Sequence, residues 1–172
     1  FMSPQLKSVS EMGMKALKIK ESPAVIQVND FFDTPRRLRE EFSMMVNNPD
    51  PKRIALIPSV SYGMALVARN INIKGRKIII AGEQFPSNVY PWMRLASEQG
   101  GELEIIEPPT TTLNRGEVWN NRILDAIDNR TAMVAIGHVH WADGTLFNLA
   151  EIRRRTNDVG SLLVIDGTQS VG

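Results

Sequence analysis

Residues 162–170 read Leu-Leu-Val-Ile-Asp-Gly-Thr-Gln-Ser, an apolar run that ends abruptly in an aspartate and a short polar turn. Four consecutive apolar residues of this kind are typical of a strand buried on both faces of a parallel sheet. Asp166 then lies at the tip of the strand, where an unpaired buried carboxylate is costly. The stretch therefore predicts a parallel strand whose terminal carboxylate needs a cation, a metal ion or a protonated ring nitrogen, unless Asp166 serves only as a helix N-cap.

Similar apolar runs precede this one, and helical patterns separate them. Strands in regular alternation with helices form a parallel sheet covered by helices, with right-handed crossovers. The chain is therefore predicted to adopt a three-layer α/β/α fold with a mostly parallel sheet. We predict strands at 54–57, 77–81, 103–106, 132–136 and 162–165, and helices at 62–72, 88–99, 119–128 and 148–159.

Two further helical patterns, at 5–18 and 30–46, come before the first predicted strand. The segment Pro49-Asp50-Pro51 then breaks the helical pattern, because proline removes a backbone donor and fixes φ. We predict an N-terminal helical arm over residues 1–50, and the first part of a sheet domain over residues 51–172.

Composition excludes several classes of function. The chain has 172 residues, of which 42% are hydrophobic, and its formal net charge is +1, which is typical of a globular domain without electrostatic attraction to nucleic acid or anionic membranes. It has no cysteine and only two histidines, and no apolar run reaches the length of a membrane span. We expect no nucleic-acid partner, no membrane partner and no metal site. The lack of cysteine and of a signal peptide favours a cytoplasmic location.

Ligands of open parallel sheets bind at the carboxyl ends of the strands. After the first predicted strand, Val60 and Ser61 open a helix whose free N–H groups suit a phosphate, the alternative being a simple N-cap. After the second predicted strand, Phe85 precedes a proline. Its ring either forms a wall of the binding site of a flat ligand or belongs to the hydrophobic core. After the fourth, His140 and Trp141 crowd one loop. A flat, phosphorylated ligand with a basic ring nitrogen accounts for these loops and for Asp166, and pyridoxal phosphate has those properties.

On these motifs the sequence resembles the class V aminotransferase family, the branch of fold-type I pyridoxal-phosphate enzymes that includes cysteine desulfurases, kynureninases and isopenicillin-N-epimerase-like proteins. The stretches 83–92 and 164–170 carry the resemblance, and the turn at Val60 and Ser61 adds less. The resemblance implies the first part of the fold-type I large domain, with the rest of that domain missing.

The resemblance also implies roles for individual residues. Asp166 would pair with the pyridinium nitrogen, and Phe85 would stack on the ring face. The turn at Val60 and Ser61 would bind the phosphate through backbone N–H and hydroxyl groups. Gln169 would reach the phenolic oxygen of the ring.

His140 and Trp141 are expected to shape the substrate pocket. Many desulfurases have asparagine where Trp141 stands, close to the phenolic oxygen. A tryptophan offers a single N–H donor on a bulky ring. This departure makes a strict desulfurase assignment less secure than membership of the wider family.

The implied activity is that of a pyridoxal-phosphate enzyme, a homodimer, acting on a small amino acid by transamination, epimerisation or desulfuration and β-elimination. The family's Schiff-base lysine lies beyond the position of Asp166, and none of the lysines in this sequence stands in the matching motif. We expect the 172 residues alone to be neither a stable fold nor an active enzyme. Two alternatives are a truncated or decayed family member without catalysis, and a nucleotide- or phosphosugar-binding α/β domain.

Overall fold

The computed structural model describes residues 4–171, which divide into two compact units, one ending at Leu56 and the other beginning at Ile57. The N-terminal unit holds two helices, α1 (Lys7–Ile19) and α2 (Asp30–Met45). Asp30 and Asp33 occupy the first turn of α2, where negative charge offsets the helix dipole. Helix α2 ends shortly before the Pro49-Asp50-Pro51 break. The domain boundary that we place after residue 50 stays a prediction.

The second unit alternates strands and helices around a parallel sheet. The sheet has the strand order β2-β1-β3-β4, and each neighbouring pair is parallel. This confirms the predicted α/β architecture. Its elements are α3 (Val60–Asn70), β1 (Lys77–Ala81), α4 (Tyr90–Glu98), β2 (Glu102–Ile106), α5 (Arg115–Ala126), β3 (Thr131–Gly137), α6 (Leu149–Asp158) and β4 (Leu162–Asp166).

Alternation of side chains along β1 divides the apolar core into two clusters, one on each face of the sheet. Ile78 and Ile80 pack with buried residues of α3 and α4, whereas Ile79 packs with buried residues of α5 and α6. The two central strands, β1 and β3, are buried along their whole length, and the edge strands β2 and β4 are partly exposed. The structure is therefore three-layered, with the sheet between two pairs of helices.

The first apolar run, residues 54–57, is not a strand, so the prediction of a strand there is wrong. Ile54 has extended backbone angles, but no strand among residues 4–171 pairs with this segment. Leu56 is 52% exposed. Ile57 lies against Gly63 so closely that a Cβ added to that glycine would stand 2.6 Å from the isoleucine Cδ1. An apolar run becomes a strand only where a neighbour satisfies its backbone hydrogen bonds.

Most predicted helices agree with the observed bounds to within about two residues, and α5 is the exception. It begins at Arg115, four residues before its predicted start at residue 119. Its first turn is polar and so lacks the apolar periodicity on which the prediction relied. Trp119, in the second turn, is buried and donates its indole N–H to the carbonyl of Ile106 at 2.8 Å.

Lys77, at the start of β1, is a buried cation at the amino ends of the strands. Its Nζ lies 2.8 Å from Glu104 Oε2 and 3.3 Å from Asp128 Oδ2, and it donates to the carbonyl of Ala126 at 2.7 Å. These contacts join β2 and the turn before β3 to the central strand. They lie at the amino ends of the strands, whereas the loops of the candidate site follow the carboxyl ends. None of the helices in the described part of the chain is long and apolar enough to cross a membrane.

Candidate functional site

The loops that follow β1, β3 and β4 meet at the carboxyl ends of the strands, which we call the carboxyl edge of the sheet. The Asn88 side chain, after β1, donates to Asp166 Oδ2 at 2.7 Å. The backbone N–H of His138, after β3, donates to the Asp166 carbonyl at 3.0 Å. The Trp141 indole N–H donates to the Glu83 carbonyl at 2.7 Å. Direct hydrogen bonds therefore bring together loops that are far apart in sequence, as expected for the ligand end of a parallel sheet.

Asp166 is the buried carboxylate of this edge. The residue is 9% exposed, and its register partner across the sheet is Gly137 on β3. Its Oδ1 accepts hydrogen bonds from the backbone N–H and the hydroxyl of Thr168, and its Oδ2 accepts the one from Asn88. Within residues 4–171 all of these donors are neutral. The carboxylate is thus buried and hydrogen-bonded, and no positively charged group among these described residues pairs with it, which is the unfavourable arrangement that the sequence predicts.

Phe85 and Trp141 form an exposed aromatic pair beside Asn88. Their ring centroids lie 5.5 Å apart with an interplanar angle of 81°, and the residues are 49% and 48% exposed. Glu83, whose carbonyl accepts the indole N–H, has a φ of +51°, an uncommon left-handed conformation for a non-glycine residue. The tryptophan donor is therefore occupied within the protein, and what the pair offers to a ligand is aromatic surface.

His140, in contrast, is buried and engaged on both sides of its ring. Nε2 lies 3.3 Å from the carbonyl oxygen of Gly82, and Nδ1 lies 3.1 Å from Asp143 Oδ1. The ring also packs on Trp119, with centroids 5.0 Å apart. Both neighbours of the ring nitrogens are hydrogen-bond acceptors, one on the loop after β1 and the other on the loop after β3. These contacts favour a role in joining two loops, and the predicted place of His140 in a substrate pocket stays a prediction.

Asp143 connects His140 to the start of α5. Its Oδ2 accepts from Arg115 Nε at 3.0 Å, and its Oδ1 accepts from the backbone N–H of Thr145 at 3.0 Å. Partial burial alone would raise the pKa of this carboxyl group. Hydrogen bonds from Thr145 and Arg115, together with the charge of His140, outweigh burial and lower the pKa from 3.8 to about 2.

The first turn of α3 has both a side-chain N-cap and free N–H groups that suit a phosphate, the two alternatives that the sequence left open. Ser59 is the N-cap, and its hydroxyl accepts from the N–H of Tyr62 at 3.1 Å, while its carbonyl accepts from the N–H of Gly63. The N–H groups of Val60 and Ser61 are the remaining donors of this turn. Both residues are exposed, and α3 packs against the turn at residues 86–88. A cap and an open pair of donors are therefore present together.

Gln169 lies in the exposed turn that follows β4. The turn is closed by hydrogen bonds from the N–H groups of Ser170 and Val171 to the Gly167 carbonyl, at 2.9 and 3.0 Å. The Gln169 side chain is thus carried close in sequence to Asp166, on the same edge of the sheet. Its predicted contact with a ligand stays a prediction.

Comparison with known proteins places this arrangement in a family. The aminotransferase class-V family model matches residues 27–172. The chain belongs to the class-V aminotransferase family. A probable cysteine desulfurase of Methanothermobacter thermautotrophicus is 31% identical over 126 residues, which cover 73% of this chain and 30% of that protein. A cysteine desulfurase of Escherichia coli is 30% identical over 139 residues, covering 78% of this chain and 33% of that protein.

The fold agrees with solved structures of related enzymes. A cystine C–S lyase in complex with its reaction product, cysteine persulfide, matches with a TM-score of 0.78 at 20% identity, over 96% of this chain and 45% of the lyase. At this identity the likeness shows the fold alone. This class-V aminotransferase chain spans about a third of the length of the curated relatives that it matches.

Sequence analysis of this class-V aminotransferase chain missed the role of Asn88. An asparagine at the start of a helix is usually an N-cap, and the helix predicted over residues 88–99 begins at this asparagine. In the structure α4 has no side-chain cap, and the Asn88 amide instead turns toward Asp166. The sequence does contain a signal for this role, because Asn88 is a short polar residue within the stretch 83–92 on which the family resemblance rests.

Asp143→Asn tests the electrostatic link between the loops. Because the folded pKa of about 2 lies below the ordinary aspartate pKa of 3.8, the carboxylate contributes stability above about pH 4 that is lost as the pH falls through 2. We expect the variant to be less stable than wild type at pH 7, by about 1 kcal/mol. Its free energy of unfolding should also fall less steeply between about pH 4 and pH 2.

Urea unfolding at a series of pH values measures both effects. Asp125→Asn is the matched control, because Asp125 is an exposed aspartate on α5. Parallel pH profiles for wild type and Asp143→Asn would contradict the assigned role of this carboxylate.

Proposed function

We propose that this chain forms the first part of the cofactor-binding domain of a pyridoxal-phosphate enzyme that acts on a small amino acid. Members of the class-V aminotransferase family use pyridoxal phosphate. The observation that carries the proposal is the buried Asp166 carboxylate, whose described partners are all neutral, at the ligand edge of the sheet. A protonated pyridine nitrogen would supply the missing positive partner.

The other residues of the edge fit the remaining parts of the cofactor. The exposed ring of Phe85 suits stacking on a flat heteroaromatic ring. The N–H groups of Val60 and Ser61, at the positive end of α3, suit a phosphate. Because the Trp141 N–H is already bonded to Glu83, the side-chain amide of Gln169 is the better candidate to contact the phenolic oxygen.

When bound, pyridoxal phosphate supplies an electron sink for the negative charge that develops at the α-carbon of an amino acid. Asp166 would hold the proton on the ring nitrogen, and its burial strengthens that electrostatic interaction. Phe85 would stack on the ring face and orient the ring against Asp166. His140 would fix the loop from which Phe85 projects, through the Gly82 carbonyl.

The names of the relatives support a small amino acid as substrate, since two of them are a cysteine desulfurase and a probable cysteine desulfurase. Transamination, epimerisation and desulfuration with β-elimination are the reactions that we propose for the whole protein. Trp141 would then border the substrate pocket, because half of its indole surface is exposed next to Phe85. A homodimer and a cytoplasmic location are part of the same proposal.

Asp166→Asn tests the proposed function through binding alone. The ligand is pyridoxamine 5'-phosphate, because it has no aldehyde and forms no Schiff base with surface lysines. Loss of the negative charge should weaken binding at least tenfold, which corresponds to about 1.4 kcal/mol. Isothermal titration calorimetry with the purified full-length protein, of which this chain is proposed to form the first part, gives the affinities.

Asp158→Asn, which changes an exposed aspartate at the end of α6, is the control and should bind as wild type does. Equal affinities for wild type and Asp166→Asn would contradict the proposal, and so would the absence of binding by wild type.

Val60→Pro tests the phosphate subsite. Val60 is the first residue of α3, a position at which proline is tolerated, and the extended backbone of Ser59 accommodates a following proline. The substitution removes one N–H donor while keeping the helix. We expect a several-fold loss of affinity for pyridoxamine 5'-phosphate and no change for pyridoxamine, which lacks the phosphate.

Val60→Ala keeps the N–H and is the matched control. If Val60→Pro weakens binding of both ligands equally, or of neither, the first turn of α3 does not bind the phosphate.

A further inference from the structure

We propose that Asn88 is a positioning residue for Asp166, one that decides which side of the carboxylate is offered to the ring nitrogen of the cofactor. The inference rests on the proposed function. It assigns to Asn88 a role in the site that the family resemblance did not suggest. The two residues are 78 positions apart in sequence, yet their side chains are joined by a hydrogen bond of 2.7 Å in the buried part of the site.

The number of acceptor positions on the carboxylate supports this role. An ionised carboxylate has about four lone-pair positions for hydrogen bonds. Two donors from Thr168 occupy Oδ1, and the Asn88 amide occupies one side of Oδ2. One position on Oδ2 is left. A protonated pyridine nitrogen carries a single N–H, so one remaining position matches one donor.

Burial makes the Asn88 amide suitable for positioning. The residue is 5% exposed, so its side chain competes little with water for the carboxylate. The amide donates to Oδ2, the oxygen on which one position for the ring nitrogen remains. Because Thr168 holds Oδ1, a neutral donor on Oδ2 also prevents the carboxylate from rotating freely about its side-chain torsion.

The backbone of the same turn couples Asn88 to the stacking ring. The N–H of Asn88 donates to the carbonyl of Phe85 at 2.8 Å, and the N–H of Val89 donates to that of Pro86 at 3.1 Å. Pro86 restricts φ within this turn. The aromatic ring that would face the cofactor and the amide that would orient its carboxylate partner are therefore held by one short, closed turn.

Asn88→Leu is the test variant, because leucine has nearly the same shape as asparagine and no donor. Binding of pyridoxamine 5'-phosphate is measured by calorimetry from pH 5 to pH 9, and the ultraviolet band of the bound ligand reports protonation of its ring nitrogen. We expect about tenfold weaker binding and deprotonation of the bound ring nitrogen at a pH lower by about one unit. A residue that only fills space would leave this pH profile unchanged.

Two further variants complete the design. Asn121→Leu makes the same change at an exposed position of α5 and should behave as wild type. Asn88→Ala removes the donor without adding apolar bulk, and it should lower the pH at which the bound ring nitrogen loses its proton by the same amount. The alanine variant therefore tests the role of Asn88 even if the leucine variant fails to fold.

The outcomes separate this inference from the proposed function. If wild type binds and Asp166→Asn does not, while both Asn88 variants keep the wild-type pH profile, the positioning role is wrong and the proposed function stands. If wild type binds no pyridoxamine 5'-phosphate, both are wrong.

Discussion

A carboxylate buried at the end of a parallel strand constrains the whole carboxyl edge of this sheet. Asp166 is placed there by β4, whose register sets it opposite Gly137. Its burial is compatible with a stable fold only because other segments supply donors. Thr168 does so from the turn that follows, Asn88 from the loop after β1, and the backbone of His138 bonds its carbonyl. The loops after β1, β3 and β4 therefore meet at one residue.

The side chains at this end of the sheet divide into a set that holds loops together and a set that faces solvent. His140 and Asp143 belong to the set that holds loops together, since their polar atoms contact Gly82, Thr145 and Arg115. The aromatic pair is exposed and makes few polar contacts. Such a division is what a binding site requires, because groups that face a ligand are held in place by groups that do not.

Much of the fold could be predicted from the sequence because the strands are buried. Continuous apolar runs identify β1 and β3, and all four observed strands coincide with predicted ones. The run at 54–57 is also apolar, but no strand among residues 4–171 pairs with it, and pairing is a property that composition does not record. Helix α5 begins in a polar turn, where apolar periodicity gives no signal.

The candidate site could be predicted in part, for a related reason. Asp166, Phe85 and Trp141 stand out because a charge or an aromatic ring follows an apolar run directly. The role of Asn88 depends on a contact across 78 residues, and a local pattern at a helix start suggests a cap instead. His140 stood out for its chemistry, and only the structure places its ring against Gly82 and Asp143.

We propose that this end of the sheet holds the pyridine ring of the cofactor against Asp166. A crystal structure of the protein with pyridoxamine 5'-phosphate is the decisive experiment. We expect the ring nitrogen at hydrogen-bond distance, about 2.8 Å, from Asp166 Oδ2, with the ring on Phe85 and the phosphate at the first turn of α3. A ligand bound elsewhere, for example in the groove between α3 and α4, with Asp166 bonded only to Asn88 and Thr168, would contradict it.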